Sequence, residues 1–396
     1  MKRAYKFRLR PTRKQEAALT ACLEDTRQLY NAALEERREA WRMGCHQVSF
    51  FSQSAQLKEI RATDPEQYGR WPFSCERAAI RRLDRAFQGF YRRVKAGQKP
   101  GYPRFKGRGS WDSIEWPSEK GGARWDSVSH PTVTRVYLRG IGHVRVHQHR
   151  AVKGSIKTIT AKREGDRWYV ILSCDAVPAQ PLEPVGSAVG IDLGVASFLT
   201  ASDGGQVPNP RHLAAVSERL AAVQRDMARK KRGSNRRKKA AAKIARLHGK
   251  VRRQRLDHAH KTALAIVRSH DLIVHEELQI TNMTARPKPR PDGYGSHQRN
   301  GAMAKAALSK SIHDTGWGIF LRVLSAKAES AGRTVIAVNP RHTSQRCAQC
   351  GHTAAGNRVT QAAFLCFACG HRAHADVNAA RNILRAGLAL QEAHAT

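Results

Sequence analysis

Asp192 stands inside an apolar run, AVGIDLGVASFLT, where a strand is expected to hold Val and Ile. A bare carboxylate is costly to bury unless something cationic meets it. Gly190 and Gly194 flank it and are expected to leave room for a ligand to approach the backbone. Glu276 closes a second apolar run, LIVHE, and Asp376 opens what reads as the last helix. Three acids far apart in sequence, each at the edge of a regular element, suit a two-metal phosphodiester hydrolysis. Mg²⁺ prefers carboxylate oxygens and keeps several waters. Two such ions about 3.5–4 Å apart can activate an attacking water and stabilise the leaving oxygen. Each acid also has a plainer reading. Asp192 could be a turn acid, and Asp376 a simple N-cap. Glu276 competes with Glu277, because side chains alternate along a strand and only one of the pair can point at the site.

The cysteines carry a second chemistry. Cys347 and Cys350, then Cys366 and Cys369, form CxxC…CxxC with fifteen residues between, each half followed by Gly-His. Two such turns let four thiolates converge on one tetrahedral ion, which is zinc-ribbon spacing. The zinc is expected to be structural, because four thiolates leave no open position. A redox pair is the competing reading, and the doubling argues against it. His352, His371 and His374 are alternative ligands that four cysteines make unnecessary. The insert between the halves fits a short hairpin. Cys22, Cys45, Cys75 and Cys174 are scattered and read as ordinary buried thiols.

These groups need elements to position them. YKFRLRP alternates Tyr5, Phe7 and Leu9 with basic residues, a strand with one buried face that Pro11 ends. Thr12 and Gln15 form a capping box for a helix with Leu19, Leu23, Tyr30, Leu34 and Trp41 on one stripe. RAAIRRLDRAFQGFYRRVKAG predicts a second helix closed by Gly97. Its inward set is Leu83, Phe87, Phe90, Tyr91 and Val94, and Arg81, Arg82, Arg85, Arg92, Arg93 and Lys95 face out. After the loop KPGYPRFKGRG the pattern turns β from about residue 130, with Glu164-Gly165-Asp166 as a hairpin turn. Past the linker QPLEP come two strands, a long basic helical region from His212 to about His270, and strand DLIVHEEL. A Pro/Gly-rich stretch follows, ARPKPRPDGYGSHQRNG, then a helix with Trp317, Phe320 and Leu324, strand RTVIAVNP, the cysteines and a final helix.

Charge sets the partner. Lys+Arg 70 against Asp+Glu 32 give a net +38, and the pI is near 10.8. Self-repulsion on that scale disfavours a compact chain without a polyanion, so nucleic acid is the expected partner. The run ARKKRGSNRRKKAAAKIARLHGKVRRQR carries one sign and is expected to face phosphate. Its contacts, among them Arg229, Lys230, Lys231, Arg236, Arg237, Lys238 and Lys239, would set affinity and salt dependence rather than sequence choice. In GYPRFK, Tyr102, Arg104 and Lys106 are candidate nucleic-acid contacts, the alternative being a surface loop that packs Phe105 into the core. No apolar run approaches the ~18–20 residues of a membrane span. The basic start does not open an apolar signal core. A cytosolic protein is expected, with no membrane partner.

The combination VGIDLGVASF, a strand acid followed by Asn-Met in HEELQITNM, NPRHTSQRCAQCGH and HADVNAARNI strongly resembles the TnpB (OrfB) family. These are RNA-guided nucleases of bacterial insertion sequences, related to the compact type V CRISPR effectors. The resemblance runs nearly end to end. RAFQGFYRRVKAGQKPGYPRFKGR is similar to the family's N-terminal block, IKTITAKREGDRWYV to its β-domain hairpin, and QRLDHAHK to the basic helix before the second acid. It implies an α+β multidomain fold. An RNase H-like RuvC nuclease domain would carry an inserted zinc ribbon just before the last acid. A small β-barrel wedge domain would carry a helical recognition lobe. By resemblance the second acid falls on Glu276, and Asp192 and Asp376 match the first and third, together holding two catalytic Mg²⁺. One position departs: His374 stands where many relatives have another acid.

The implied boundaries are a first wedge strand over residues 1–11, the recognition lobe over 12–110 and the rest of the wedge over 111–185. RuvC follows over 186–345, the ribbon over 346–371, and the final helix and tail over 372–396. The implied partners are a guide RNA from the transposon end and double-stranded target DNA, cut beside a short motif. Three rivals share parts of this reading. A miniature type V effector would take its guide from an array. An RNA-guided repressor would lack at least one acid, and none is missing. A DNA-strand transferase would need a recombinase signature, and none is visible.

Overall fold

The computed structural model describes residues 1–118, 121–125, 133–293 and 295–395. Parts of three expectations lie outside these: the strand beginning near residue 130, Tyr294 of the Pro/Gly-rich stretch, and Thr396 of the tail. The chain divides into two compact units, Met1–Pro178 and Ala179–Thr396.

The first unit opens with β1 (Arg3–Arg10), then three helices, α1 (Arg13–Gly44), α2 (Phe50–Thr63) and α3 (Phe73–Lys95). Six strands follow: β2 (Ser113–Trp116), β3 (Ala123–Arg124), β4 (Arg135–Leu138), β5 (Gly142–His147), β6 (Ser155–Glu164) and β7 (Arg167–Asp175). They form an antiparallel seven-stranded sheet in the order β2-β6-β7-β1-β5-β4-β3. Alternation along β1 buries Tyr5, Phe7 and Leu9 on one face, as period two requires. Thr12 and Gln15 close the capping box at the start of α1. Gly97, at φ 64°, ends α3 in the left-handed region.

The inward stripes are shorter than the sequence suggests. Leu19, Leu23, Tyr30 and Leu34 are buried on α1, but Trp41 is 61% exposed, in a last turn of α1 that is exposed throughout. On α3, Leu83 and Phe87 are buried and Phe90 half-buried, whereas Tyr91 and Val94 are exposed near the helix end. Arg82 turns inward instead of out. Its guanidinium lies 4.0 Å from the Trp111 ring centroid and donates to the Ser113 carbonyl at 2.8 Å. Of the scattered cysteines, Cys22, Cys75 and Cys174 are buried, and Cys45 is exposed at the end of α1.

The second unit carries β8 (Ala188–Asp192), β9 (Ser197–Ala201) and β10 (Gln206–Pro208), then α4 (Ser217–Ala228) and α5 (Asn235–Ser269). After these come β11 (Leu272–Glu276), α6 (Ile280–Thr284), α7 (Ala302–Thr315), α8 (Trp317–Ala331) and β12 (Thr334–Val338). The chain closes with β13 (Ala363–Leu365), β14 (Arg372–His374) and α9 (Ala375–Ala395). The basic helical region is therefore two helices, broken where Gly233 takes φ 84° and Ser234 caps α5. The five-stranded sheet runs β10-β9-β8-β11-β12, with β8, β11 and β12 parallel. Leu272, Ile273 and Val274 are all buried, the continuous apolar run of a strand covered on both faces. Val189, Ile191 and Ile273 join α5 and α8 in one core. Leu272, Val274 and Val338 meet Ile383 of α9 in the other.

The second face is held very tightly. A Cβ added to Gly190 would lie 2.1 Å from the Ala380 carbonyl oxygen and 2.6 Å from the Leu384 nitrogen. One added to Gly387 would lie 2.4 Å from Val274 Cγ2. Gly190 thus admits the backbone of α9 rather than a ligand. Gly194 likewise faces the protein itself, where a Cβ would come 2.9 Å from the Ser197 carbonyl oxygen. Gly190→Ala meets main chain that cannot rotate away, so it should destabilise the second unit by about 3 kcal/mol or more. Gly387→Ala meets a side chain and should cost less. Urea unfolding midpoints of the two variants check both the direction and the order.

Candidate active site

The parallel strands β8 and β11 end side by side, with His275 opposite Ile191. Asp192 follows Gly190 by two residues, and Glu276 follows Val274 by two. Alternation therefore turns both carboxylates to the α9 face. Glu277 falls on the other parity, and its amide donates to the Val338 carbonyl, extending the ladder. Asp376 sits in the first turn of α9, the helix that lies on this face. The three predicted acids are brought together.

Their electrostatics follow from crowding. Burial pushes Asp192 up to about 7, and the charges of Glu276 and Asp376 push the same way. Arg358 and the Leu193 amide oppose them. Glu276 is also raised by burial, and a hydrogen bond from Thr343 partly offsets this. Arg358 donates to Asp376 Oδ1 at 3.0 Å and to the Gln361 carbonyl at 2.9 Å. An all-oxygen donor set with one arginine against three acids fits hard divalent cations. Thr343 and Arg358 were not foreseen. Thr343 lies in the quoted NPRHTSQRC stretch, but nothing in the spacing tells its role, and no signal singles out Arg358.

The cysteines converge. Their four Sγ atoms lie within 4.8 Å of one another, with Cys347 to Cys369 at 3.7 Å and Cys350 to Cys366 at 3.5 Å. Four thiolates at the ordinary zinc–sulfur distance stand about 3.8 Å apart at tetrahedral corners, so the residues fit that ion. Against burial, which raises it, the amides of Cys369 and Ala368 draw the Cys366 thiol down to about 6. Within the insert Arg358 and Phe364 make a single antiparallel bridge, and β13 also pairs with β14 around the second CxxC turn, with Ala363 opposite His374. β14 runs straight into α9, so only Ala375 separates the hairpin from Asp376.

The predicted basic contacts divide. Arg104, Arg229, Lys231, Arg236, Lys238 and Lys239 are exposed. Arg237 is half-buried and donates to the Met227 and Lys230 carbonyls, so it closes the end of α4 instead of presenting a free cation. Lys230 pairs with Asp226. The Lys106 amide and carbonyl are both held by Asn31, and its Nζ stands 5.7 Å from the Tyr30 ring. Tyr102 sets its edge against Phe87 and Phe90 at 5.5 and 5.4 Å, yet stays 44% exposed, as does Phe105. Phe105 is therefore not a core residue. Beside it Tyr102 helps line a 940 Å³ cavity with Arg37, Trp41, Phe51 and Arg81.

Raising the Asp192 pKa from 3.8 to about 7 makes the folded chain bind that proton more tightly than the unfolded chain. Stability from this group is therefore present at acid pH and is lost as pH rises from about 4 through 7. The loss is on the order of 4 kcal/mol. In magnesium-free buffer, Asp192→Asn should become progressively more stable than wild type over that window. Urea midpoints at pH 5 and pH 7.5 measure the widening gap, and a constant gap would contradict it.

Residues 169–286 match the OrfB_IS605 family, described as "Probable transposase", and residues 317–383 match the Cas12f1-like TNB domain. Residues 1–45 match a helix-turn-helix domain of the same family, although here they form β1 and the single long helix α1. The chain is 35% identical over 388 residues to "Putative RNA-guided DNA endonuclease InsQ" of Escherichia coli, covering 98% of this chain and 92% of that one. It is 32% identical to a "Putative RNA-guided DNA endonuclease" of Streptomyces pristinaespiralis, over 98% of this chain and 90% of that one. It is 31% identical to a CRISPR-associated Cas12f1 of Sulfoacidibacillus thermotolerans, over only 55% and 50%. Its fold resembles that of Cas12f1 in a complex with guide RNA and target DNA, at a TM-score of 0.59, 15% identity, 93% of this chain and 82% of that one. It also resembles the mini-RNA-guided endonuclease Cas_phi3, at a TM-score of 0.50, 13% identity, 98% and 92%. By its identity to InsQ over nearly its whole length, this chain belongs to the TnpB-type OrfB family, relatives of the miniature type V effectors.

Proposed function

We propose that this protein is an RNA-guided DNA endonuclease of the transposon-associated TnpB type, with one metal-dependent RuvC site. The observation that carries the reading is the convergence of Asp192, Glu276 and Asp376 on one sheet face, in a chain otherwise short of acids. The relative InsQ matches over nearly its whole length, whereas Cas12f1 is matched over half of its own, which favours the transposon type over the array-guided one.

Asp192, Glu276 and Asp376 would hold two Mg²⁺. Bound there, such ions supply an activated water and charge stabilisation at the leaving oxygen. The carboxylates fix where the scissile phosphate stops, and Arg358 adds positive charge at the same edge. The four cysteines would hold a structural zinc that keeps the ribbon folded against the start of α9. The first unit would act as a wedge domain on its seven-stranded sheet, with α1–α3 as the recognition lobe. Guide–target pairing would supply sequence choice, while exposed cations hold the heteroduplex by its backbone. Such a protein works on bacterial DNA in the cytoplasm.

The test uses protein purified with its own RNA, that RNA then reprogrammed, and a plasmid library randomised beside the target. One motif class should be depleted with Mg²⁺ and not with EDTA. Asp192→Asn, Glu276→Gln or Asp376→Asn should each abolish depletion while RNA binding stays intact. Full RNA binding with no depletion by the wild-type complex would sink the nuclease reading.

A double Lys238→Ala, Lys239→Ala variant should weaken RNA binding uniformly across sequences. The slope of log affinity against log salt should fall by about one for each phosphate the lysines no longer neutralise. An unchanged slope would remove these lysines from the interface.

A further inference from the structure

Between β12 and the first cysteine the chain makes one compact turn, Asn339 to Arg346. Asn339 Oδ1 accepts from the Arg341 amide at 2.9 Å, and the His342 carbonyl accepts from the Gln345 and Arg346 amides, both at 3.0 Å. His342 itself stands at φ 65°. A non-glycine held in the left-handed region is strained and persists only where its surroundings impose it. The residue this strained turn delivers is Thr343, which is 8% exposed.

The Thr343 hydroxyl lies between two acceptors, Glu276 Oε1 and the Pro340 carbonyl, the latter at 3.0 Å. A hydroxyl has one proton, and the charged oxygen is the stronger acceptor. The far side of the turn is gripped by α9. Asn382, 5% exposed, donates to the Thr343 carbonyl at 3.0 Å and to the Arg346 carbonyl at 2.6 Å. Asn378, fully buried, donates to the same Arg346 carbonyl at 2.8 Å and accepts from the Ala348 amide at 2.8 Å. One turn thus touches Glu276 on one side and, on the other, the helix that begins beside Asp376. Glu276 sits at the last residue of its strand, where its side chain has rotamers to choose among.

We propose that Thr343 is a positioning residue: its hydroxyl fixes the Glu276 carboxylate so that the other oxygen faces the cations shared with Asp192 and Asp376. This rests on the nuclease reading above. Asn382 and Asn378 keep the turn in register with α9, so that two of the three acids are spaced through one hydrogen-bonded segment.

The experiment compares Thr343→Val and Thr343→Ala, which remove the hydroxyl, with Thr343→Ser, which keeps it. Asp192→Asn sets the baseline. Two readouts are taken: guided cleavage across a Mg²⁺ titration, and Mn²⁺ binding to the RNA-bound protein followed by the loss of the free-ion EPR signal. The Val and Ala variants should need about ten- to a hundredfold more Mg²⁺ for half-maximal cutting, and should bind the Asp192-dependent Mn²⁺ more weakly by a similar factor. The Ser variant should restore both, and RNA affinity should not change. Wild-type behaviour in Val and Ala overturns the proposal, and so does equal loss in Ser, which would make the methyl group the cause. If the wild-type complex binds Mn²⁺ at Asp192 but cuts nothing, the nuclease reading fails and the Mn²⁺ arm still decides Thr343. If no Mn²⁺ binding depends on Asp192, the proposal for Thr343 falls as well.

Discussion

The candidate site depends on how closely α9 lies on the sheet. At Gly190 the helix backbone stands where any side chain would be, so helix and strand meet backbone to backbone. That close approach decides where Asp376 stands relative to Asp192, two residues further along the same strand face. It also decides where Asn378 and Asn382 meet the turn before the cysteines. A looser helix would leave the three acids free to spread apart, which their mutual repulsion favours. Close packing therefore stores the crowding that a divalent cation would relieve.

The excess positive charge works on another scale. Lys+Arg 70 outnumber Asp+Glu 32 about two to one, and several of those acids are committed to structure. Asp314, 9% exposed, accepts from Arg255 at 2.7 Å and from the Leu213 amide at 2.9 Å, tying α7 to α5 and to the segment before α4. Glu76, buried in the first unit, is held by Arg61 at 2.6 Å, and burial still pushes it up to about 7. With such acids engaged internally, neutralisation of the exposed basic surface has to come from outside the chain. A polyanion does this by releasing condensed counterions, which makes the association steeply salt-dependent.

Much of this was legible in the sequence because it rests on short-range rules. The capping box at Thr12, the alternation of Tyr5, Phe7 and Leu9, and the doubled CxxC each need only a few neighbouring residues to be read. Strand parity also separates Glu276 from Glu277, once it is known which face α9 covers; periodicity alone could not supply that face. What was missed depended on tertiary neighbours. Trp41, Tyr91 and Val94 continue helical stripes past the point where the fold buries them. Arg82 and Arg237 look like surface cations, yet aromatic and carbonyl partners distant in sequence or across a turn claim them. Gly190 read as space for a ligand because the sequence does not show that a helix nearly two hundred residues later fills it.

The cysteine cluster's place beside the acids follows from chain continuity as much as from contact. β14 ends at His374 and α9 begins at Ala375, so the hairpin around the second CxxC turn and the helix bearing Asp376 share one uninterrupted backbone. Arg358 spans the same junction from the insert, reaching Asp376 with one nitrogen while that nitrogen also holds the Gln361 carbonyl. A displacement of the knuckle therefore acts on the third acid through two routes, the helix start and the ion pair. The departure at His374 fits this arrangement. Its ring nitrogen Nδ1 accepts from the Asp376 amide at 3.3 Å, so the imidazole caps the first turn of α9 without adding a further negative charge to three acids already in mutual repulsion.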